Sequence, residues 1–273
     1  MTKITASDVN NLRKSTGAGM MDCKNALVEA EGNFDKAVEI LRKKGQKVAA
    51  KRADRNSSEG VALAITNNSN EVGIGIVLAC ETDFVAKNDD FVKLAFDIAD
   101  IALNCKSKEE LLNSPFGNSS VSEKLIEQTG VIGEKIQIND FSRIEANYVG
   151  TYIHAGNKIS SLVGFDKKVD NIETVGKDIS MQIAAMNPIA LDKESVDPEL
   201  IKKEIEIAKD QLRTEGKPEE LIEKIAIGKL NRFFKDNTLI NQQFIKENKV
   251  SVAQYLKTFG DIKILSFSRV SIG

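Results

Sequence analysis

One histidine, His154, supplies all the imidazole in this chain of 273 residues, which also has no tryptophan, three cysteines and four prolines. Each scarcity excludes some chemistry. A Ser-His-Asp triad would have to run through His154, and no GxSxG elbow precedes it. Cys23, Cys80 and Cys105 are far apart, odd in number and without a CxxC pair. Neither a zinc site nor a disulfide framework is expected from them, and a reducing compartment, the cytoplasm or an organelle interior, suits them. No run reaches the ~18 apolar residues of a membrane span. The opening MTKITASDVNNL lacks the apolar core of a signal peptide. Acidic and basic residues nearly balance, 40 against 38, which speaks against a nucleic-acid wrapper. Phosphate loops are missing too: GIGIVL, with Gly73 and Gly75, has no third glycine, and GAGMMDCK is not GxxxxGK[ST]. These scarcities weaken most enzyme readings, and no metal, cofactor or bound nucleotide is expected.

What is present reads as α+β. Residues 1–55 carry three short amphipathic helices. Thr5 to Asp8 forms a capping box for the first, and Gly17 stops it. The second places Cys23, Ala26, Leu27 and Ala30 on one face before Gly32. Asn33 caps the third, with Phe34, Ala37, Val38 and Leu41 at helical spacing. Lys43, Lys44, Lys47, Lys51, Arg52 and Arg55 then read as a basic, solvated linker helix. From Glu59 the pattern becomes strand-like, with GVALAIT and EVGIGIVLAC flanking the turn NNSN. A helix capped by Asn88 follows, carrying Phe91, Leu94, Ala95, Ile98 and Ala102 on one side. The order recurs as YVGTYIH, AGNK, ISSLVGF and a helix through Ile172 to Met186. Two similar α+β subdomains are expected, over 56–142 and 143–273. Inside the second, 192–236 reads as an antiparallel coiled coil broken at EGKP.

One short stretch stands apart. In CETDFVAKNDDF, Phe84 sits between a strand end and a helix start, flanked by Asp83, Lys87, Asn88 and Asp89. Either the ring folds into the strand-to-helix corner or it is offered to another protein. Met20 and Met21, with Lys24, pose the same choice between a buried helix turn and an adaptable contact surface. Ile132 and Gly133 read on their own as a core residue and a turn.

TGAGMMDCKNALVEAEGNFDKAVEILRKKG followed by TDFVAKN resembles the elongation factor Ts family. IGEKIQI at Ile132, Tyr152 to His154, GKP at Gly216 and GKLNRFF at Gly228 continue the likeness in order. The resemblance implies an N-terminal three-helix domain similar to ubiquitin-associated domains and a core of two α+β subdomains. It also implies a coiled-coil insertion of the kind used in dimerisation. The implied function is guanine-nucleotide exchange on elongation factor Tu. Thr82, Asp83, Phe84 and Val85 would then disturb the partner's Mg²⁺ site, with Ile132, Gly133 and His154 as further contacts. Gln182 stands where the family commonly has histidine. The competing reading is a protein or RNA adaptor built from a ubiquitin-associated-like domain and a coiled coil.

Overall fold

Three helices open the fold, each begun by its own side-chain cap or stopped by its own glycine. The computed structural model describes residues 4–273. Helix α1 (Ala6–Thr16) starts on the reciprocal Thr5–Asp8 box and ends at Gly17, whose φ of 71° is left-handed. Helix α2 (Met20–Glu29) is closed by the Gly32 N–H, which donates to the Leu27 carbonyl at 2.8 Å. Helix α3 (Phe34–Arg52) is capped by Asn33. Val9, Leu12, Cys23, Ala26, Leu27 and Ala37 bury one another between them.

The basic stretch is not a separate linker helix. It forms the second half of α3, which runs unbroken to Arg52. Only Gly45 interrupts good helix formers there, and a close helix crossing compensates its poor propensity. A Cβ on Gly130 would lie 2.5 Å from the Gly45 Cα, so α3 is packed there against the helix that contains Gly130.

Strands β1 (Glu59–Thr66) and β2 (Val72–Cys80) flank a turn in which the Asn67 side-chain oxygen accepts from the Glu71 and Val72 N–H groups. Then come α4 (Asp83–Ala86) and α5 (Asp89–Ala102), the latter burying Phe91, Leu94, Ala95, Ile98 and Ala102. Helix α6 (Lys108–Asn113), the short pair β3 (Pro115–Phe116) and β4 (Ser119–Ser120), α7 (Val121–Ile132) and β5 (Gln137–Glu145) follow. The sheet order is β1-β2-β5. Gly73 and Gly75 prove to be packing glycines, since a Cβ on either would strike Val149 or Ser142 at 2.6 Å.

A second hairpin, β6 (Tyr148–Ile153) and β7 (Ile159–Phe165), is antiparallel, with Tyr148 opposite Phe165 and Ile153 opposite Ser160. Helix α8 (Ile172–Met186) buries Val175, Ile179 and Ile183 in a core with Val163, Phe165, Leu239 and Phe244. The helical hairpin α9 (Pro198–Thr214) and α10 (Glu219–Asn237) closes on Ala208, Leu212, Ile222 and Ala226. Strands β8 (Gln243–Phe244) and β9 (Glu247–Ser251), helix α11 (Val252–Lys257) and β10 (Ile264–Ser271) complete the chain. The second sheet runs β10-β7-β6. Each hairpin thus gains a third strand from later in the sequence. Two compact units result, one from residues through Leu63 with Ile76–Phe141 and Ser271–Gly273, the other from Ala64–Gly75 and Ser142–Val270.

The Gly45–Gly130 crossing yields a test. Gly130→Ala gains about 1 kcal/mol of helix propensity, but its methyl meets backbone, a clash that costs about 1–3 kcal/mol. The urea midpoint should therefore fall; a rise would show that the two helices separate without cost.

Candidate functional site

The stretch that carries Phe84 is a one-turn helix. Thr82 is the N-cap of α4, its hydroxyl accepting the Val85 N–H at a long 3.5 Å. Asn88 then caps α5 by accepting the Asp90 N–H at 2.9 Å. Only Ala86 of α4 is buried. The Phe84 ring is 83% exposed, so it does not fold into the strand-to-helix corner. Asp83 and Val85 are half-buried, and Asp83 pairs with Lys87 at 2.6 Å, which raises the Lys87 pKa.

Two glutamates hold the root of this helix. The Glu134 carboxylate accepts from the Glu81 N–H at 3.1 Å, the Thr82 N–H at 3.0 Å and the Thr82 hydroxyl at 2.6 Å. Glu81 answers in kind, accepting the Lys135 N–H at 2.7 Å. Glu81 also receives Arg52 at 2.8 and 2.9 Å. The Lys135 N–H, helped by the Arg52 guanidinium, holds the Glu81 carboxyl below its ordinary range. Lys135 in turn donates from Nζ to the carbonyls of Ala53 and Arg55, just past the end of α3.

This clasp joins two segments more than fifty residues apart in the chain. Gly133 ends α7 at φ 81°, a left-handed turn that suits glycine. Glu134 follows immediately, so Ile132 and Gly133 are tied to α4 through one side chain. Ile132 is half-buried, neither wholly core nor wholly free. Sequence reasoning missed Glu134 and Glu81 as site residues, although both stand beside assigned positions in the quoted motifs.

The other assigned residues lie elsewhere. Met20 and Met21 are exposed on α2, at 56% and 64%, with Lys24 also exposed. His154 belongs to the second unit, exposed after β6, with Nδ1 3.0 Å from the Tyr152 hydroxyl. Gln182 is fully buried: it donates to Gln242 and to the Gln243 carbonyl and accepts the Ile245 N–H at 2.8 Å. It serves packing. Among the described residues no three metal-ligating side chains converge, and no helix is long and apolar enough to cross a membrane.

Cys80 ends β2 beneath the clasp, its thiol donating to the Thr82 carbonyl at 3.2 Å. Burial, and then the Glu134 charge, push its pKa up to about 12. Cys23 and Cys105 are buried as well. Ellman's reagent at pH 8 should therefore find almost no thiol in the native protein and three after denaturation. Rapid labelling of Cys80 in the native state would mean that the clasp opens readily.

The family model for Elongation factor TS matches residues 81–273. Elongation factor Ts of Christiangramia forsetii is 64% identical over 274 residues, covering all of both chains. That of Flavobacterium psychrophilum is 58% identical over the same full span, and that of Porphyromonas gingivalis is 41% identical over 98% of each chain. The chain belongs to the elongation factor Ts family of translation elongation factors.

Proposed function

We propose that this member of the elongation factor Ts family is a guanine-nucleotide exchange factor that binds elongation factor Tu in its GDP form and drives GDP off. Such work needs no acid, base or nucleophile. It needs a surface that binds the nucleotide-free partner more tightly than the loaded one. By linkage, the factor by which the exchanger weakens nucleotide is the factor by which nucleotide weakens the exchanger. Differential contact is therefore the whole mechanism.

The observation that carries this reading is an exposed phenylalanine on a clamped one-turn helix. An apolar ring in water is costly to keep and gains on burial, and a ring with a fixed root can enter a partner as a wedge. Burying Phe84 is worth roughly 1.5–3 kcal/mol, or about one to two decades in an equilibrium constant. In this reading Thr82 starts the helix, Asp83 and Val85 flank the ring, and the group disturbs the partner's Mg²⁺ and phosphate site. Ile132 and Gly133 lie against the same partner. Met20, Met21 and Lys24 offer a second patch of soft apolar groups with one cation, and His154 a third contact. The protein itself takes no nucleotide, metal or cofactor and works in the cytoplasm. Residues 1–55 act as a ubiquitin-associated-like module; 56–142 and 143–273 act as the two core subdomains.

The segment 192–236 acts as a coiled-coil insertion through which two copies pair. Its base supports this separate role. The Ile189 N–H donates to the Asn237 carbonyl, and the Leu239 N–H to that of Ala190, both at 2.9 Å. The chain leaves and returns at adjacent points, so the hairpin can be excised without parting the core strands.

Two measurements test the reading. Release of a fluorescent GDP analogue from elongation factor Tu should accelerate on adding the protein. Phe84→Ala should lower that stimulated rate about tenfold or more, with an unchanged melting temperature. No acceleration by the parent would end the exchange reading in favour of an adaptor, and a Phe84→Ala variant as fast as the parent would remove the wedge. Replacing 192–236 by a short glycine-serine link should lower the light-scattering mass while leaving stimulated release nearly intact. An unchanged mass would rule out pairing through the hairpin.

A further inference from the structure

We propose that Glu134 is a positioning residue, which sets the pose of the Phe84 ring by holding the root of α4. The inference rests on the exchange reading and deepens it. A four-residue helix has no stability of its own, because nucleation costs more than one turn returns. Helix α4 buries only Ala86, and its cap contact through Thr82 is long. The ring itself is exposed and packs against little. The principal hold on its root is the Glu134 carboxylate, on which two backbone N–H groups and the Thr82 hydroxyl converge within 3.1 Å; the Cys80 thiol adds one weak donation to the Thr82 carbonyl.

Bonds to an ionised acceptor are about twice as strong as neutral ones. The grip is also doubly rooted. Glu134 follows the left-handed turn at Gly133, and the Lys135 N–H beside it is bound by Glu81, from the very segment that Glu134 binds. Each segment thus caps the other's backbone. Rotation of α4 about its root would break three hydrogen bonds at once. Because Ile132 and Gly133 lie in the same turn, the clasp also fixes their distance from Phe84. It makes one preformed surface out of two loops, and preorganisation reduces the cost of binding.

A merely stabilising carboxylate would give a different coupling pattern from a positioning one. The experiment compares the parent, Glu134→Gln, Phe84→Ala and the double variant, with Thr82→Val as a milder cut of the same clasp should the glutamine variant fail to fold. In the free protein, Glu134→Gln should speed deuterium uptake over residues 81–88 and leave the rest of the chain unchanged. In GDP release from elongation factor Tu, it should lower the stimulated rate about tenfold when Phe84 is present, yet by less than about twofold once Phe84 is gone. Equal losses in the two backgrounds would overturn the positioning role, as would a Glu134→Gln rate equal to the parent's. If the parent itself gives no acceleration, the exchange reading falls, and unchanged deuterium uptake over 81–88 would then still overturn the clasp on its own.

Discussion

Two glutamates reaching across to each other's backbone determine what this protein presents to its surroundings. Glu81 ends the run out of β2, and Glu134 ends the turn out of α7. Each places a carboxylate on the N–H groups of the other segment. A β-strand end and a helix end normally offer unpaired backbone groups to water. Here the N–H groups of Glu81, Thr82 and Lys135 are satisfied by the two carboxylates, and the short helix α4 becomes part of the scaffold. Arg52 at the end of α3 adds the opposite charge to Glu81, whose part-buried carboxylate is therefore paired.

The rest of the first unit supports that arrangement. The Gly45–Gly130 approach brings α3 and α7 nearly into backbone contact, and the position of α7 determines where Gly133 and Glu134 emerge. Lys135 then binds the carbonyls that follow α3. Helix crossing, left-handed turn, carboxylate and exposed ring form one chain of contacts. In proteins whose binding residues sit on loops, precision comes from the elements beneath them; here the element beneath is a pair of helices that meet glycine to glycine at their closest point.

The helices were largely legible in the sequence because their signals are local. Thr5 with Asp8, Asn33, Asn88, Ser120 with Glu123, and Ser251 with Gln254 all cap the helices they introduce. Strand β5 is hard to see in the sequence because its apolar residues, Ile138, Phe141 and Ile144, are three apart and do not alternate; it pairs at a sheet edge with a partner far back in the chain. The basic stretch reads as a linker because a charge run and a surface helix look alike until a neighbour such as α7 is known. Phe84 was visible as an apolar residue in a polar run. Glu134 was not, since its contacts lie 52 and 53 residues away and a glutamate after a glycine has no special pattern. The one usable hint is its place directly behind the helix-stopping Gly133.

On the exchange reading proposed above, there is a physical reason to hold α4 by hydrogen bonds rather than by hydrophobic packing. A wedge anchored by its own apolar burial would have to divide its nonpolar surface between home and partner. Anchoring through the backbone leaves the ring wholly uncommitted, so the full burial energy is available when it enters another protein. That energy is still only about 1.5–3 kcal/mol, too little to eject a tightly held nucleotide alone. On that reading the remainder would come from separate modest contacts, with the exposed methionines of α2 and the hairpin around His154 as the proposed sources. Distribution has a kinetic merit as well. If nucleotide and exchanger weaken each other by the same factor, returning GTP would have to dislodge the exchanger, and several modest contacts would yield one after another more readily than a single deep one.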